Sequence, residues 1–394
     1  MNSMMLKTIK NKLRFRYTFW WFLLANYKRK ICKDKLTPDQ KNALEDFEQG
    51  VALYNRTDPA SVKPKWEVFK DLNRLMEYWH CYPDVYFRMG MFIKGYTDWE
   101  QMTSFLPQIA FSRFERQWKP YLEYASILEN KLIFNDLFTC YGIPVPRVLF
   151  SFRNARFFSK SGEEMSDISV TRCLSDAKTR RIFAKKATGN CGKGVFVFTK
   201  TDQGYRASDG TMVDAAFIRK FCGKEDYHFE EQLSQDQVLS QFCPDTINTV
   251  RVVTKNRTGK ESVIVGASIR FGRMGGYVDN LAQGGVSVNL NIDTGELFDF
   301  GMREYDLTKY YEHPDTGIRF AHVLIPQWPE IKEMIDHVSS LLPPFREIGW
   351  DIALTLDGPV IVELNTGTGV YSVQMGPQYG VANAFKDCIP HFTN

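Results

Sequence analysis

The sequence lacks several features that would place it at once in a functional class. Its eight cysteines include no C-x-x-C pair, so the spacing of a structural zinc site or a dithiol redox site is absent. Lys and Arg number 50 against 46 Asp and Glu, and a net charge of +4 in 394 residues is too small for a general nucleic-acid binder. No internal repeat of roughly 20–50 residues is visible. These absences exclude zinc fingers and solenoids, and we expect no nucleic-acid partner.

A long hydrophobic run is also missing. Residues 17–25 (YTFWWFLLA) form a mainly apolar and aromatic run of nine residues that includes Thr18, whereas a membrane-spanning helix needs about 20. Arginines precede this run and Lys28, Arg29 and Lys30 follow it, so residues 14–30 suit either a short helix in a membrane interface or one packed on the protein itself. We expect a cytoplasmic protein with reduced thiols, and a peripheral contact with the inner face of the plasma membrane through residues 14–30 is the alternative.

The composition is otherwise that of a globular protein, with 44% hydrophobic and 24% charged residues. Residues 36–125 read mainly as helices, because apolar side chains recur at helical spacing in stretches such as 39–54 and 66–79. From residue 126 onward, short β-like runs alternate with helices. We therefore predict an α+β fold, in which a helical region (1–125) precedes a domain (126–394) that ends in an antiparallel sheet.

A glycine-rich loop interrupts the β-like segment 183–198. Its glycines allow a ligand to approach the backbone closely, and lysines in and beside the loop supply charge for phosphates. The residues concerned are Lys185, Lys186, Gly189, Gly192, Lys193 and Gly194. A strand-like run follows where a Walker-type loop would require a helix. The pattern therefore indicates a hairpin flap over phosphates or an ordinary glycine-rich hairpin.

Two carboxylates and an amide come together near the C-terminal end. Asp351 begins one strand-like run, and Glu363 and Asn365 end the next, with a predicted turn at 357–358 between them. Residues two apart on a strand face the same way, so the hairpin brings all three side chains together. Oxygen-only ligands suit Mg²⁺. The alternative, charges on a solvated face, agrees less well with the apolar residues of this hairpin.

Two further segments carry candidate catalytic residues. Asn248 and Arg251 lie at a β-branched strand, where an arginine acts either as a phosphate or carboxylate clamp or as part of an internal salt bridge. Arg273 and Asn280 lie in the glycine-rich stretch 272–285, which suits either a phosphate-binding or substrate-binding loop or a mobile surface loop.

Taken in order, these features resemble the ATP-grasp superfamily over residues 126–375. A lysine, a glycine-rich flap, an acidic hinge, an arginine strand and Asp…Glu-x-Asn follow one another as they do there. Several segments look like its sugar-transfer-associated branch. They are Asn248-Thr-Val-Arg-Val-Val-Thr, Val278-Asp-Asn-Leu-Ala-Gln-Gly-Gly285, His313-Pro-Asp-Thr-Gly317 and Ile348-Gly-Trp-Asp351. The resemblance implies a flap subdomain over about 147–233 and a C-terminal catalytic subdomain over about 234–394.

The resemblance also implies roles for individual residues. Lys131 and Lys185 would hold the phosphates of ATP under the closing loop Gly189 to Gly194. The hinge residues Glu230, Glu231 and Leu233 would meet adenine, and Asp236, or its neighbour Gln235 or Gln237, would meet the ribose. Glu363 would bridge two Mg²⁺ ions held with Asp351 and Asn365. Arg251, with Asn280, would stabilise an acyl phosphate. Lys186 stands where many relatives have proline.

The implied activity is that of an ATP- and Mg-dependent carboxylate–amine ligase in cell-surface polysaccharide or capsule synthesis, acting on a uronic acid or a related carboxylate. A kinase that phosphorylates a sugar or polyol hydroxyl is one alternative. The other is a nucleotide-binding scaffold for glycosyltransferases.

Overall fold

The computed structural model describes residues 37–116, 119–189, 194–257, 261–277, 279, 284–342, 345–375 and 380–388. Residues 14–30, the predicted interfacial segment, lie outside these ranges. The chain forms two compact units. One comprises Met1–Trp118, Met302–Lys309 and Gly369–Asn394, and the other comprises Lys119–Gly301 and Tyr310–Thr368. No helix in the described part of the chain is long and apolar enough to cross a membrane.

The N-terminal part of the first unit is helical in its described residues, as the sequence predicts. The helices of this unit are α1 (Pro38–Arg56), α2 (Lys65–Trp79), α3 (Val85–Arg88), α4 (Trp99–Ser104), α5 (Gln108–Arg116) and, near the C-terminus, α12 (Ala382–Phe385). Helix α1 begins with a capping box, in which Thr37 accepts a hydrogen bond from the Gln40 N–H and the Gln40 side chain accepts one from the Thr37 N–H. Helix α2 buries an apolar stripe that includes Leu72 and Leu75.

A polar cluster lies inside this unit. The guanidinium carbon of Arg88 lies 4.2 Å from the ring centre of Tyr305 and 4.0 Å from that of Tyr371. Arg88 also donates to the carboxylate of Asp46 over 2.6 Å. Buried Asp84 accepts hydrogen bonds from the backbone N–H groups of residues 108 and 109, which begin α5, at 3.0 and 3.3 Å. Burial and then the nearby Asp46 raise the pKa of Asp84 to about 7.

We expect this raised pKa to make the first unit less stable as the pH rises. An acid whose pKa is about 7 when folded and about 3.8 when unfolded contributes stability that is complete below pH 4 and lost as the pH rises through 7. From pH 6 to pH 8 the loss is on the order of 1 kcal/mol. The variant Asp84→Asn keeps an acceptor for the helix cap without the ionisation, so urea unfolding should show a flatter pH dependence. A variant with the wild-type slope would contradict this assignment.

Most of the described strands and six of the described helices belong to the second unit. The helices are α6 (Lys119–Glu129), α7 (Lys131–Cys140), α8 (Asp167–Asp176), α9 (Ala215–Cys222), α10 (Gln237–Phe242) and α11 (Trp328–Leu341), of which α6 and α7 precede the first strand. The strands of the chain are β1 (Val148–Arg153), β2 (Arg156–Ser159), β3 (Glu164–Met165), β4 (Arg181–Lys186), β5 (Val195–Thr201), β6 (Gly204–Arg206), β7 (Tyr227–Glu231), β8 (Thr249–Arg257), β9 (Glu261–Phe271), β10 (Val286–Leu290), β11 (Leu297–Arg303), β12 (Asp306–Tyr310), β13 (Glu347–Thr355) and β14 (Gly358–Asn365).

These strands form two seven-stranded sheets. The first has the order β3-β2-β1-β7-β4-β5-β6, and the second has the order β12-β11-β10-β9-β8-β13-β14. The α+β class is confirmed, and the final sheet is antiparallel where β8, β9, β10, β13 and β14 pair. The first sheet buries one face, including Phe150, Phe198 and Phe229, with residues of α8 and α9. In the second sheet every residue of β13 is buried. The polar residues of the opposite faces are therefore held on rigid strands.

Candidate active site

Three charged residues lie side by side across the second sheet. Arg251 of β8 pairs directly with Asp351 of β13, and Asp351 pairs directly with Glu363 of β14. Directly opposed residues of antiparallel strands point to the same face, so the three side chains form one row. Asn365 lies two residues beyond Glu363, so its side chain is on the same face. The row therefore brings the oxygens of Asp351, Glu363 and Asn365 to one face of the sheet.

Asp351 is held by cations. Arg251 donates to both of its oxygens through Nε and Nη2 at 2.7 Å, and Arg270 of β9 donates to Oδ1 at 2.8 Å. Burial opposes the charge of Asp351, but Arg251 and then Arg270 outweigh it and lower the pKa of the carboxyl. Of the two interpretations of Arg251, the internal salt bridge is therefore present, with Asp351 as its partner.

Glu363 is linked to the start of the glycine-rich loop. The ammonium of Lys131 donates to Glu363 Oε1 at 3.0 Å and to the Gly189 carbonyl at 2.9 Å. Lys131 is the first residue of α7, and its backbone N–H donates to the Ala187 carbonyl at 2.8 Å. One lysine thus connects the end of β14 with the segment that follows β4.

The side-chain oxygens of this row are of the kind that binds Mg²⁺, and some of them are free of hydrogen bonds to other described residues. The described residues contain no group of three His, Cys, Asp or Glu side chains arranged to hold a metal. Asp351 accepts four hydrogen bonds from Arg251, Arg270 and Asn365. Asn365 turns its amide nitrogen toward Asp351, over 3.4 Å. Glu363 Oε2 and the Asn365 amide oxygen are therefore the donors that suit a cation, with nucleotide phosphates supplying others.

Lys185 and Glu230 form a buried ion pair on the first sheet. Lys185 of β4 and Glu230 of β7 lie on the same face, and the Glu230 side chain is only 5% exposed. His228 Nε2 lies 3.0 Å from the other oxygen of Glu230, without the geometry of a hydrogen bond. Burial opposes ionisation, but Lys185 and His228 outweigh it and lower the pKa of Glu230 to about 2. The adjacent Lys186 points the other way and pairs with the exposed Glu225 at 3.0 Å.

The glycine-rich loop is described only at its ends. Gly194 has φ +80°, and a β-carbon there would lie 3.1 Å from Cβ of Lys186, so both backbone conformation and space favour glycine. The Lys186 N–H donates to the Gly194 carbonyl at 3.1 Å. The predicted phosphate-binding residues Gly192 and Lys193 lie outside the described residues.

The hinge follows β7. The N–H groups of Glu231 and Gln232 donate to the carbonyls of Arg147 and Arg181 at 3.0 and 3.1 Å. Among the described residues the Leu233 N–H has no acceptor, so it is the hinge donor that suits adenine. Asp236 accepts from the Val238 N–H at 2.8 Å and caps α10. The predicted adenine and ribose contacts stay predictions.

A cavity of about 1120 Å³ adjoins this hinge on the helix-covered side of the first sheet. Its lining includes Cys173 and Asp176 of α8 together with Glu231. Glu231 pairs directly with Ile182, which belongs to the core on the helix-covered face, whereas Lys185 and Glu230 lie on the other face. The cavity is therefore separate from the Lys185 ion pair.

Asn248 organises a loop. It is fully buried, and its amide donates to Gln235 Oε1 and to the carbonyls of Leu239 and Cys243 over 3.1–3.3 Å. Its oxygen accepts from the Gly272 N–H at 3.1 Å. With no exposed atom, Asn248 has the contacts of a positioning residue and not those of a group that touches a substrate.

Arg273 is also paired with an acid. Its Nε donates to Asp315 at 2.8 Å, and the Arg273 hydrogen bond is the main cause that lowers the pKa of Asp315 to about 2. Buried His313 lies 3.0 Å from the Gly272 carbonyl, and burial lowers its pKa. Asn280 lies outside the described residues. Its neighbour Asp279 accepts from the Thr249 N–H at 2.8 Å, a contact not anticipated from sequence.

Comparison with known proteins gives one family match. The profile of the family described as "Sugar-transfer associated ATP-grasp" matches residues 111–388, more than two-thirds of the chain. No curated protein matches the chain.

Several solved structures resemble the chain at low identity. N5-carboxyaminoimidazole synthetase from Staphylococcus aureus, solved with ADP, is 8% identical over 63% of this chain and 47% of its own, with a TM-score of 0.36. Phosphoribosylamine–glycine ligase from Thermotoga maritima is 14% identical over 62% and 49%, with a TM-score of 0.36. The D-alanine–D-alanine ligase from Coxiella burnetii is 11% identical over 62% and 50%, with a TM-score of 0.33. The chain spans about half the length of these proteins, and no residue role is transferred from them.

Proposed function

Because the chain belongs to the sugar-transfer associated ATP-grasp family, we propose that it is an ATP-dependent ligase that joins a carboxylate to an amine. The observation that carries the proposal is the row of Arg251, Asp351 and Glu363, with Lys131 on Glu363. Such a row places fixed positive charge next to oxygens that suit a cation. Phosphoryl transfer depends on that combination more than on covalent catalysis.

The proposed reaction has two steps. A substrate carboxylate attacks the γ-phosphorus of ATP, which forms an acyl phosphate and releases ADP. The amine then attacks the acyl carbon, an amide bond forms, and inorganic phosphate leaves with the electrons of the broken C–O bond.

The residues divide the work of neutralising charge. Lys131 and Lys185 bind phosphate oxygens, and Arg251 with Arg270 lies beside the transferred group. Glu363 and Asn365 would hold Mg²⁺, which supplies further positive charge at the phosphates. The substrate we propose is a uronic acid or a related carboxylate of a cell-surface polysaccharide. In this proposal the protein acts together with glycosyltransferases on the cytoplasmic side of the plasma membrane.

Phosphorus NMR tests the reaction type. With Mg-ATP, D-glucuronate or D-galacturonate and pooled amines, we expect equal amounts of ADP and phosphate only when both carboxylate and amine are present. Hydroxylamine in place of the amine should trap the acyl phosphate as a hydroxamate. A stable phosphomonoester of the sugar would instead identify a kinase, and ATP binding without turnover would favour a scaffold.

The membrane contact is tested separately by co-sedimentation with liposomes that contain anionic lipid, with and without residues 1–35. Loss of binding on truncation is the expected result. Equal binding of both proteins would exclude residues 14–30 as the contact.

A further inference from the structure

The charged row of the second sheet continues onto two more strands. Ser268 of β9 pairs directly with Arg251, and Asn289 of β10 pairs directly with Ser268. Ser287, two residues before Asn289, pairs directly with Arg270. By the alternation of strands, these three polar side chains lie on the same face as the charged row.

These polar groups are buried without partners. Ser268, Ser287 and Asn289 are 0%, 1% and 5% exposed. Among the described residues, none forms a hydrogen bond with Ser268 Oγ, Ser287 Oγ or Asn289 Oδ1. A buried polar atom left unsatisfied costs about 1–3 kcal/mol, so three of them side by side are unfavourable for stability alone.

The same strands carry buried apolar side chains at the neighbouring positions. The residues that alternate with this set, Val286, Val288 and Ile269, are fully buried and apolar. Serine and asparagine therefore mark the face where a polar ligand would supply the missing hydrogen bonds, as is usual where function is kept at the expense of stability.

We propose that Ser268, Ser287 and Asn289 bind the hydroxyl groups of a sugar acid whose carboxylate lies toward Arg251, an inference that rests on the proposed ligase function. An amide oxygen requires a donor, and a serine hydroxyl can donate or accept. Sugar hydroxyls do both, whereas an ionised carboxylate offers only acceptors. The three partners are neutral, so they select the hydroxylated part of the substrate and leave its charge to the arginines.

The length of the row agrees with such a ligand. Arg251 and Asn289 are separated by two strand spacings, or about 10 Å. A sugar ring with its substituents covers such a distance, and a small amino acid does not. The reacting carboxylate would then lie at the end of the row that also holds Asp351 and Glu363.

Direct binding tests this site without turnover. Isothermal calorimetry and saturation-transfer NMR would use the full chain with D-glucuronate, D-galacturonate and, as the carboxylate without hydroxyls, cyclohexanecarboxylate. We expect the uronates to bind and cyclohexanecarboxylate to bind at least about tenfold more weakly, because each lost hydrogen bond is worth on the order of 1 kcal/mol. Asn289→Leu should weaken uronate binding by about fivefold, and the double variant Ser268→Ala/Ser287→Ala should weaken it by about tenfold or more.

Thermal stability distinguishes a ligand-binding role of these residues from a structural role. Removing an unsatisfied polar group should leave the thermal midpoint unchanged or raise it. Ser262→Ala is the matched control, because Ser262 Oγ on β9 also has no partner among the described residues but lies six residues from Ser268, about 20 Å along the strand. It should leave uronate binding unchanged.

Several outcomes would overturn the inference. These are no uronate binding to the wild type, unchanged binding in the variants, which would assign the polar groups to buried water, or a lower thermal midpoint. Failure of the proposed function looks different. Uronates would then still bind in a manner that requires Asn289 but would cause no phosphate release from ATP. Conversely, uronate-dependent phosphate release with an unchanged KM in Asn289→Leu would refute this site and leave the ligase reaction standing.

Discussion

Glu363→Gln should abolish ATP turnover while leaving the fold intact. Glutamine keeps the shape of the side chain but removes the charge that both Lys131 and a magnesium ion would use. Loss of one such electrostatic element lowers turnover by at least about a hundredfold to a thousandfold. Because the Glu363 side chain is 25% exposed, its ion pair with Lys131 contributes no more than about 1 kcal/mol to stability. Phosphate release, the thermal midpoint and Mn²⁺ binding followed by electron paramagnetic resonance measure the three effects.

Asp357→Asn is the matched control for this substitution. Asp357 lies in the turn of the same hairpin and is exposed, so the change from acid to amide should leave turnover and Mn²⁺ binding unchanged. Full turnover in Glu363→Gln would remove Glu363 from the metal site, and with it the main argument for the proposed reaction.

Lys185→Met should lower both stability and nucleotide affinity. The substitution leaves Glu230 in a buried position with only His228 beside it, and breaking a buried pair from one side costs about 3–5 kcal/mol. Lys186→Met is the control, since the pair of Lys186 with Glu225 is exposed and should contribute under about 1 kcal/mol. Urea unfolding at pH 7 and calorimetry with Mg-ADP give the two quantities.

A second substitution separates the two effects. Lys185→Met/Glu230→Gln removes the unpaired charge, so stability should recover in large part. Nucleotide affinity should not recover, because a charged hydrogen bond to phosphate, worth roughly 10- to 100-fold in affinity, is still missing. Wild-type affinity for Mg-ADP in the double variant would show that Lys185 serves only Glu230.

The same ion pair sets an acid limit on stability. The pKa of Glu230 is about 2 in the folded protein against an ordinary value of 4.5. Its contribution is therefore complete above pH 4.5 and is lost as the pH falls through 2, amounting to about 3 kcal/mol. Lys185→Met should lose this dependence, because burial without the ammonium raises the pKa of Glu230.

The sequence predicts that Asp351 and Glu363 lie on one hairpin, but it does not predict the strand register that sets them directly opposite each other. The apolar runs around Asp351 and Glu363 predict the hairpin, and its pairing is confirmed. The turn itself lies one residue earlier than predicted, at 356–357, because Thr355 pairs with Gly358. A bulge at Val362 then shifts the register by one residue and brings Glu363 opposite Asp351. No residue type in this stretch predicts a bulge.

Contacts between distant segments were beyond the sequence for a different reason. Arg270 and Lys131 are 81 and 232 residues from the carboxylates they contact, and periodicity carries no information over such separations. The proximity of His228 to Glu230 is predictable from the sequence, since residues two apart on a strand share a face. Asn248 differs from its prediction in the opposite direction. Its polar side chain in a family-like segment predicts a catalytic role, whereas in the fold its hydrogen bonds order a loop.

In the proposed ligase, the position of Lys131 would make nucleotide binding and cation binding interdependent. Its ammonium is shared between Glu363 and the Gly189 carbonyl, and it cannot bind a phosphate at full strength while it neutralises that carboxylate. A divalent cation on Glu363 would free Lys131 for the nucleotide, so each ligand favours the other. Such coupling is reciprocal and commonly amounts to about 1–3 kcal/mol. The order of arrival then does not affect the final affinity, while this one lysine sets how strongly each ligand depends on the other.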